Sequence, residues 1–456
     1  MDKNFSEKAY EELISRLFVR FPSFQKTGAS AYKPGIGNME FFDQLAGHPH
    51  RQYKTIHIAG TNGKGSVSNM LASALAAKGL VVGLYTSPHI LDFRERIRMV
   101  MPHESESSYR LISKEEVWDF VRQWKDTFDH LDMSFFEITT MMALDWFAHQ
   151  NADIVVLETG LGGRLDSTNI VTPVLSVITN IGLDHCDLLG QTLPEIAYEK
   201  AGIIKPRVPV IVGESSPETD SVFERKVLYT NLTEPVFAGN RNEIMSLLKF
   251  ADKVEPPMWE FHEEILSRMD LRGSYQRKNL RTVLACLSVL MDNPDITSVI
   301  DSIICAARRT GFRGRWERLS DAPLTIADIG HNGHGLRHNF SQLAMMKASG
   351  EVSDIILVYG SVADKDVDAA LELMPEEVTV VFTQAQGKRA LPADEVRERY
   401  LRQREQAGDV YCEPDVAKAV SLAMDIASRK EKPLVYIGGS TYVVSEAIAH
   451  LDGSDK

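Results

Sequence analysis

The sequence predicts an α/β protein of two domains, each built on a mostly parallel sheet. Short apolar segments typical of buried strands alternate with helical segments, an order that favours parallel sheets covered by helices on both faces. A glycine-rich break over 310–315 interrupts this alternation, which then starts again. The length of 456 residues suits two or three domains. We therefore expect a large N-terminal domain over 1–309 and a smaller, Rossmann-like α/β domain over 310–456.

Most of the predicted elements lie before the break. Ser6 can cap a first helix by accepting a hydrogen bond from its first turn, and Pro22 is expected to end that helix region. The polar segment 101–110 is expected to be a surface loop, and the less regular segment 214–270 is expected to close the first domain with a less ordered sheet. Strands are predicted at 56–58, 80–85, 152–157, 174–179 and 208–212, and helices at 7–18, 39–45, 68–77, 114–128, 136–149, 196–201, 276–290 and 296–309.

Beyond the break, the predicted domain has no phosphate-binding loop of its own. Its strands are expected at 324–328, 354–359, 378–382 and 433–437, separated by helices.

The segment 55–66 is the most informative stretch of the chain. An apolar strand leads into the tight turn Gly60–Gly63, and Lys64, Gly65 and Ser66 then open a helix. A glycine-rich turn at a helix N-terminus directs several backbone N–H groups and the helix dipole at one point, which favours phosphate. The lysine adds a full positive charge, and the serine offers a hydroxyl to Mg²⁺. The glycine between them departs from the usual G-x-x-x-x-G-K-[ST] spacing, but the pattern still predicts a nucleotide phosphate site.

Composition excludes several classes of function. Apolar residues make up 44% of the chain and charged residues 25%, as in globular proteins with substantial cores. A formal net charge of -13 argues against general binding to nucleic acid or a membrane surface. The four cysteines show no C-x-x-C spacing and are expected to be reduced thiols. No apolar run approaches the roughly 18 residues of a membrane span, so we expect a cytoplasmic protein.

Other chemically capable residues follow the predicted strands, where ligands bind in open parallel sheets. Glu158 ends a strand and precedes glycines, so it could bind Mg²⁺ or simply cap a turn. His185 follows another strand and could be a ligand or a hydrogen-bonded structural residue. Lys200 lies on a helix nearby and could equally be a solvated surface lysine.

Two clusters mark the start of the second domain. Arg313 and Arg315 are flanked by glycines and could be hinge cations or could reach phosphates. Asp328, His331 and Asn332 place an acid, an imidazole and an amide at a strand end, a concentration typical of a site.

Together these motifs resemble folylpolyglutamate synthase/dihydrofolate synthase, a family of the Mur ligase superfamily. The matching segments occur in the family's order at 57–66, 86–89, 158–169, 179–185, 199–205, 314–317 and 330–332, with weaker similarity at 360–366 and 438–442. Two departures are Ile329 before Gly330, where the family commonly has Gly-Ala, and Leu280 after Asn279, where a small residue is usual. Neither departure removes a reactive group.

The resemblance implies an ATP-dependent ligase that joins L-glutamate to dihydropteroate, to the γ-carboxylate of reduced folates, or to both, through an acyl phosphate. It implies an active site in the cleft between the domains, two Mg²⁺ ions and a monomer. The implied catalytic residues are Lys64, Glu158, His185, Lys200 and His331, and the implied metal ligands are Ser66, Glu158, His185 and Lys200, the last as a carbamate. The implied ATP contacts are Gly60, Thr61, Asn62, Gly63, Lys64, Gly65, Ser66, Asn279, Arg315, Asp328 and His331. The implied substrate contacts are Ser87, Pro88, His89, Arg96, Phe136 and Asp166.

Two rivals share some of these features. A Mur-type ligase for UDP-muramyl peptides uses the same nucleotide chemistry, but the segments 64–66 and 86–89 favour the folate branch. A protein that closes on ATP without catalysis needs a phosphate-binding loop but does not need Glu158, His185, Lys200 and His331 together. Their joint presence therefore favours an enzyme.

Overall fold

The computed structural model describes residues 5–21, 33–102, 108–232, 241–255, 259–291, 296–363, 365–404 and 408–453. The chain forms two compact units. The first unit comprises Met1–His89, Phe93–Asp270 and Gln276–Phe312, and the second comprises Ile90–Asp92, Leu271–Tyr275 and Arg313–Lys456. The main change from one unit to the other therefore falls between Phe312 and Arg313.

The first unit is built on an eight-stranded sheet. Its strands are β1 Lys54–Ala59, β2 Val82–Tyr85, β3 Ile97–Val100, β4 Tyr109–Leu111, β5 Ile154–Glu158, β6 Leu175–Ile178, β7 Val210–Val212 and β8 Leu248–Phe250. Their spatial order is β4-β3-β2-β5-β1-β6-β7-β8. All neighbours pair in parallel except β2 with β3 and β3 with β4. The mostly parallel sheet predicted from the sequence is thus confirmed, with an antiparallel extension at one edge.

Helices cover this sheet. They are α1 Glu7–Arg20, α2 Gly37–Leu45, α3 Lys64–Ala77, α4 Lys114–His130, α5 Phe135–His149, α6 Cys186–Leu189, α7 Leu193–Lys200, α8 Asp220–Asn231, α9 Arg241–Met245, α10 His262–Arg268, α11 Gln276–Leu290, α12 Ile296–Ile304 and α13 Ala306–Thr310. Ser6 accepts a hydrogen bond from Ala9 N, as predicted for the first N-cap. Because β1 lies between β5 and β6, apolar residues on its two faces are fully buried, Ile56 and Ile58 among them.

The second unit has a six-stranded sheet and a core of its own. Its strands are β9 Glu317–Asp321, β10 Leu324–Ala327, β11 Asp354–Tyr359, β12 Thr379–Phe382, β13 Val410–Cys412 and β14 Pro433–Gly438, in the order β13-β12-β11-β14-β10-β9. Only β9 pairs antiparallel, with β10. The helices are α14 Gly333–Ala348, α15 Val367–Glu372, α16 Ala393–Gln403, α17 Val416–Ala427 and α18 Thr441–Leu451.

Four details of the predicted element order were wrong. The expected loop 101–110 contains the start of β4, and β3, β9 and β13 were not predicted. The single helix expected over 296–309 is two helices that break at Cys305, whose φ of -102° and ψ of 19° lie outside helical values. The segment 214–270, expected to be less regular and to close the first domain with a less ordered sheet, supplies the edge strand β8 but also contains the twelve-residue helix α8, which was not predicted. Pro22, expected to end the first helix region, lies outside the described residues.

Within the described ranges, no helix is both long and apolar enough to cross a membrane. The four cysteines are free thiols, as expected.

Candidate active site

Four neighbouring parallel strands of the first unit end at the same edge of the sheet. In spatial order they are β2, β5, β1 and β6. The turn 60–63 follows β1, Ser87 follows β2, Glu158 is the last residue of β5, and His185 comes soon after β6. Parallel pairing of β1 with β5 sets Ile58 opposite Glu158. The structure therefore gathers these polar groups from distant parts of the sequence at one edge.

The turn after β1 can be made only by glycine at two positions. Gly60 has a φ of +150°, and a Cβ there would lie 1.9 Å from Thr179 Oγ1. Gly63 has a φ of +83°, and its Cβ would lie 2.2 Å from Asn279 Oδ1. Non-glycine residues rarely adopt these angles, and no space exists for a side chain. The backbone is thus free to approach a ligand at the N-terminus of α3.

Residues that follow β6 hold this turn in place. Thr61 N donates to Asn180 O at 3.0 Å, and Asn62 N donates to Asn180 Oδ1 at 2.9 Å. Thr179 Oγ1 donates to Asn62 O at 2.6 Å. The Thr61 hydroxyl donates to Gly182 O and accepts from Gly182 N. The segment 179–185 matches a family motif, but no role was predicted for Asn180, which makes two of these contacts.

Two lysines converge on one carbonyl of the turn. Lys64 Nζ donates to Gly60 O at 3.1 Å, and Lys200 Nζ donates to the same oxygen at 2.9 Å. Lys200 is 3% exposed, so it is not the solvated helix lysine that its position alone allowed. Burial lowers the pKa of Lys200 to about 7, and the nearby charge of Lys64 lowers it further against the opposing effects of Asp184 and Asp166. A neutral, nucleophilic amine is therefore accessible near neutral pH.

Glu158 is buried and lies beside the segment that follows β2. Its Oε2 accepts a hydrogen bond from Ser87 N at 3.1 Å. Ser87 thus lies next to the carboxylate expected to bind metal, and its peptide bond to Pro88 is cis.

A buried arginine that the sequence did not indicate supports this segment. Arg98, on β3, donates to Thr86 Oγ1 at 2.7 Å and to Thr310 O at 2.6 Å. Burial lowers the pKa of Arg98 to about 10, while Glu95, Tyr109 and Glu158 raise it. The guanidinium therefore stays charged at neutral pH and contributes positive potential near Glu158.

Ser66 lies in the first turn of α3 and is 1% exposed. Gln276 Nε2 donates to Ser66 Oγ at 3.1 Å, and Asn279 Nδ2 donates to Gln276 Oε1 at 2.8 Å. Two residues predicted to contact ATP are thus connected through Gln276, which the sequence did not single out.

His185 is the N-cap of the short helix α6 and has a left-handed φ of +51°. Its backbone N donates to Asp184 Oδ1 at 2.9 Å, and its Nε2 lies 3.8 Å from the same carboxylate oxygen.

The predicted substrate residues lie on the β2 and β5 side. A Cβ on Gly160 would lie 2.4 Å from Phe136 Cζ, so the ring of Phe136 covers the glycine turn after β5. Arg96 Nε donates to His89 Nδ1 at 2.9 Å, and the Arg96 guanidinium lies 5.8 Å from the centre of the Phe135 ring. Arginine, histidine and an aromatic ring together suit a planar, anionic ligand.

Asp166 is buried inside the loop that follows Glu158. It accepts hydrogen bonds from Leu161 N at 2.8 Å, from Thr168 N at 3.0 Å and from Thr168 Oγ1 at 2.5 Å. Burial raises the pKa of Asp166, and these bonds oppose that effect. In this structure the carboxylate organises its own loop.

In the second unit, Asp328 organises the loop that follows β10. Its Oδ1 accepts from Gly330 N and Asn339 Nδ2, and its Oδ2 accepts from Tyr275 OH and Trp316 N, all at 2.6–2.8 Å. The carboxylate thus fixes the positions from which Arg315 and His331 project. Arg315 Nη1 donates to Gly314 O at 3.3 Å, and His331 Nδ1 lies 3.0 Å from Ile329 O.

The first-unit edge suits a divalent cation of the Mg²⁺ kind. No group of three or more His, Cys, Asp and Glu side chains in the described part of the chain is arranged to hold a metal ion. Mg²⁺ does not need one, because it keeps several waters and uses few protein ligands alongside phosphate. The Glu158 carboxylate and the Ser66 hydroxyl are oxygen groups of the kind that Mg²⁺ prefers.

Comparisons with known proteins identify relatives of this chain. The family model described as "Mur ligase, glutamate ligase domain" matches residues 314–441. The dihydrofolate synthase/folylpolyglutamate synthase of Bacillus subtilis (strain 168) is 34% identical over 351 residues, covering 73% of this chain and 76% of the relative.

Solved structures show the same fold. The folylpolyglutamate synthase of Mycobacterium tuberculosis, complexed with ADP and AMPPCP, has a TM-score of 0.75 at 26% identity, covering 99% of this chain and 100% of the other. A bifunctional folylpolyglutamate synthase/dihydrofolate synthase with Mn, AMPPNP and L-glutamate bound has a TM-score of 0.71 at 25% identity, covering 92% of this chain and 95% of the other.

The two sheets, the phosphate loop and the matched second unit define an ATP-dependent ligase of the Mur ligase type. Within that class, the chain belongs to the dihydrofolate synthase/folylpolyglutamate synthase family. It is an enzyme that uses ATP to join L-glutamate to a folate substrate. The expectation drawn from the motifs is confirmed, and the comparisons favour the folate branch over a muramyl-peptide ligase.

Proposed function

We propose that the edge formed by β2, β5, β1 and β6 binds the phosphates of ATP and a divalent cation during ligation of glutamate to a folate carboxylate. One observation carries this assignment. The glycine turn 60–63, the buried carboxylate of Glu158 and the buried amine of Lys200 meet at the ends of adjacent strands. A structural turn would need no buried carboxylate and no buried lysine beside it, because each is costly to bury.

The proposed reaction has two steps. A carboxylate oxygen of the folate attacks the γ-phosphorus of ATP, the bond to ADP breaks, and an acyl phosphate forms. The amine of L-glutamate then attacks the acyl carbon, the amide forms, and phosphate leaves with the former carboxylate oxygen. ATP thereby turns a carboxylate, which does not react with amines in water, into an acyl group with a good leaving group.

The protein's part is positioning and charge neutralisation, which dominate phosphoryl transfer. The N–H groups at the N-terminus of α3 face the phosphates, whereas those of Thr61 and Asn62 in the turn donate to Asn180. Lys64 Nζ donates hydrogen bonds to Gly60 O and Thr61 O. Its flexible side chain lets the ammonium group turn toward the transferred phosphoryl group. A divalent cation held by Ser66, Glu158 and His185 would add charge neutralisation when bound. Asn279, Arg315, Asp328 and His331 are the further proposed nucleotide residues, and Ser87, Pro88, His89, Arg96, Phe136 and Asp166 the proposed substrate residues.

Lys200 has the environment that carbamate formation requires. The buried ammonium first loses one proton, and the neutral amine then adds to CO₂ with loss of a second proton, which leaves a buried anion in place of the cation. That anion would suit a second divalent cation and would end the repulsion between Lys200 and Lys64. The substrate range is proposed to include dihydropteroate, reduced folates or both, and the enzyme is proposed to be a cytoplasmic monomer.

An isotope-transfer experiment tests the assignment. The folate acceptor is labelled with ¹⁸O in its carboxylate and incubated with the enzyme, ATP, Mg²⁺ and L-glutamate, and the released phosphate is analysed by mass spectrometry. We expect one ¹⁸O atom in each phosphate formed with product. Product formation with unlabelled phosphate would contradict the acyl phosphate route. In Glu158→Gln, labelled phosphate should form much more slowly.

A further inference from the structure

The first residue of α11, Gln276, connects two parts of the proposed nucleotide site. Its side chain is fully buried, with 0% exposure. Its Nε2 donates to Ser66 Oγ at 3.1 Å, and its Oε1 accepts from Asn279 Nδ2 at 2.8 Å. Both ends of one amide are therefore used, one toward α3 and the other within α11.

Asn279 extends this connection to the phosphate turn. Its Oδ1 occupies the space where a Cβ on Gly63 would be, only 2.2 Å from that position. Gly63 immediately precedes α3, and Ser66 lies in its first turn. Two side chains that are bonded to each other thus contact both the end of the turn and the start of the helix.

The direction of the bond to Ser66 affects what the serine can do. Because the amide N–H donates, it occupies one lone pair of Ser66 Oγ and leaves the hydroxyl proton and the other lone pair to face elsewhere. A single rotamer of a buried serine is then favoured before a ligand arrives. Such preorganisation strengthens binding because less order has to be imposed at the moment of association.

We propose that Gln276 is a positioning residue for the nucleotide, which orients Ser66 and couples it to Asn279. The inference rests on the proposed ATP site, but neither the sequence motifs nor the resemblance assigned a role to this glutamine. It predicts that the two nucleotide contacts depend on each other, although they lie on different helices.

Buried amides also stabilise folds without affecting ligands, and variants can separate the two roles. Gln276→Glu keeps the acceptor for Asn279 and the shape of the side chain but removes the donor to Ser66. Gln276→Met removes both bonds. Asn231→Asp is a matched control, because Asn231 is also buried in the first unit and both ends of its amide are hydrogen-bonded, with Nδ2 donating to Val227 O on α8 and Oδ1 accepting from Arg207 N before β7.

Binding of Mg-ADP and of AMP to the full-length wild type and variants is measured by calorimetry, alongside thermal unfolding. We expect both Gln276 variants to bind Mg-ADP about 5- to 30-fold more weakly, from the usual strength of one buried hydrogen bond. AMP binding should weaken in Gln276→Met, where Asn279 loses its partner, and much less in Gln276→Glu. Asn231→Asp should unfold at a lower temperature and bind both nucleotides as the wild type does.

A double-variant test shows whether the effect runs through the serine. If it does, Ser66→Ala combined with Gln276→Glu should lose little more Mg-ADP affinity than Ser66→Ala alone. Additive losses, or Mg-ADP affinity within twofold of wild type in folded Gln276→Glu, would overturn the proposal. Failure of the wild type itself to bind Mg-ADP would instead overturn the proposed ATP site.

Discussion

Lys200 should make the free energy of unfolding depend on pH, because its positive charge is costly to bury. The perturbation is Lys200→Met, which keeps the length of the side chain and removes the titrating group. Burial and Lys64 hold the pKa of Lys200 at about 7, against an ordinary value of 10.5. At about 1.36 kcal/mol per pH unit, this difference corresponds to about 5 kcal/mol between the fully protonated and the fully neutral limits.

The sign of the effect follows from proton binding. Between pH 7 and 10.5 the unfolded chain keeps the Lys200 proton while the folded chain has lost it, so the free energy of unfolding increases with pH in this window. From pH 7.5 to 9.5 the wild type should gain about 2–3 kcal/mol relative to Lys200→Met. Other titrating groups are common to both proteins and cancel in the difference.

The assay is urea denaturation followed by circular dichroism at pH 7.5, 8.5 and 9.5, in buffers freed of CO₂ so that the amine is not carbamylated. A difference between wild type and variant that stays flat over this range would refute the reasoning, because it would mean that Lys200 keeps an ordinary pKa. If the amine forms a carbamate, added bicarbonate should stabilise the wild type relative to the variant without flattening the pH dependence, because the carbamate, like the neutral amine, has already lost the proton that the unfolded chain keeps.

Three further substitutions test separate parts of the site. Gly63→Ala forces a Cβ against Asn279 at a φ of +83°. Nucleotide affinity measured by calorimetry should therefore fall by about tenfold or more. An unchanged affinity would contradict the close contact described between Gly63 and Asn279. Glu158→Gln still accepts a hydrogen bond from Ser87 N but loses the negative charge. The Mg²⁺ concentration for half-maximal activity should therefore rise by about tenfold or more. An unchanged Mg²⁺ requirement would show that Glu158 is not part of the metal site. Asp328→Asn turns an amide N–H toward buried hydrogen-bond donors. Urea denaturation should therefore show that the free energy of unfolding falls by about 3 kcal/mol. A stability equal to that of the wild type would contradict the organising role of this carboxylate.

The central sheet could be predicted from the sequence because its strands are short, apolar and buried on both faces. β1, β5 and β6 all lie between other strands, and each carries buried apolar residues that indicate a strand. The missed strands differ in physical character. β9 and β13 are edge strands with half-exposed side chains, and β3 carries the buried Arg98 within its four residues, which masks its apolar pattern.

The phosphate turn could be predicted because it is local, with strand, glycines, lysine and helix consecutive in the chain. The residues that hold the turn in place could not be predicted, because they come from remote segments of the chain. Asn180 and Gln276 lie 118 and 210 residues from the atoms they bond, and no local pattern sets them apart from other amides. The burial of Lys200 is likewise a tertiary effect, invisible in a helix sequence that also fits a surface lysine.

The most direct test of the account is phosphate release by the purified enzyme with Mg-ATP and L-glutamate, adding dihydropteroate or tetrahydrofolate in separate reactions. We expect phosphate release that requires both glutamate and an acceptor, together with an equal amount of glutamylated product by mass spectrometry. Release with both acceptors would define a bifunctional enzyme, and release with one would define its substrate. No release with either acceptor, in a protein that still binds ATP, would contradict the assignment of glutamate ligation to this site.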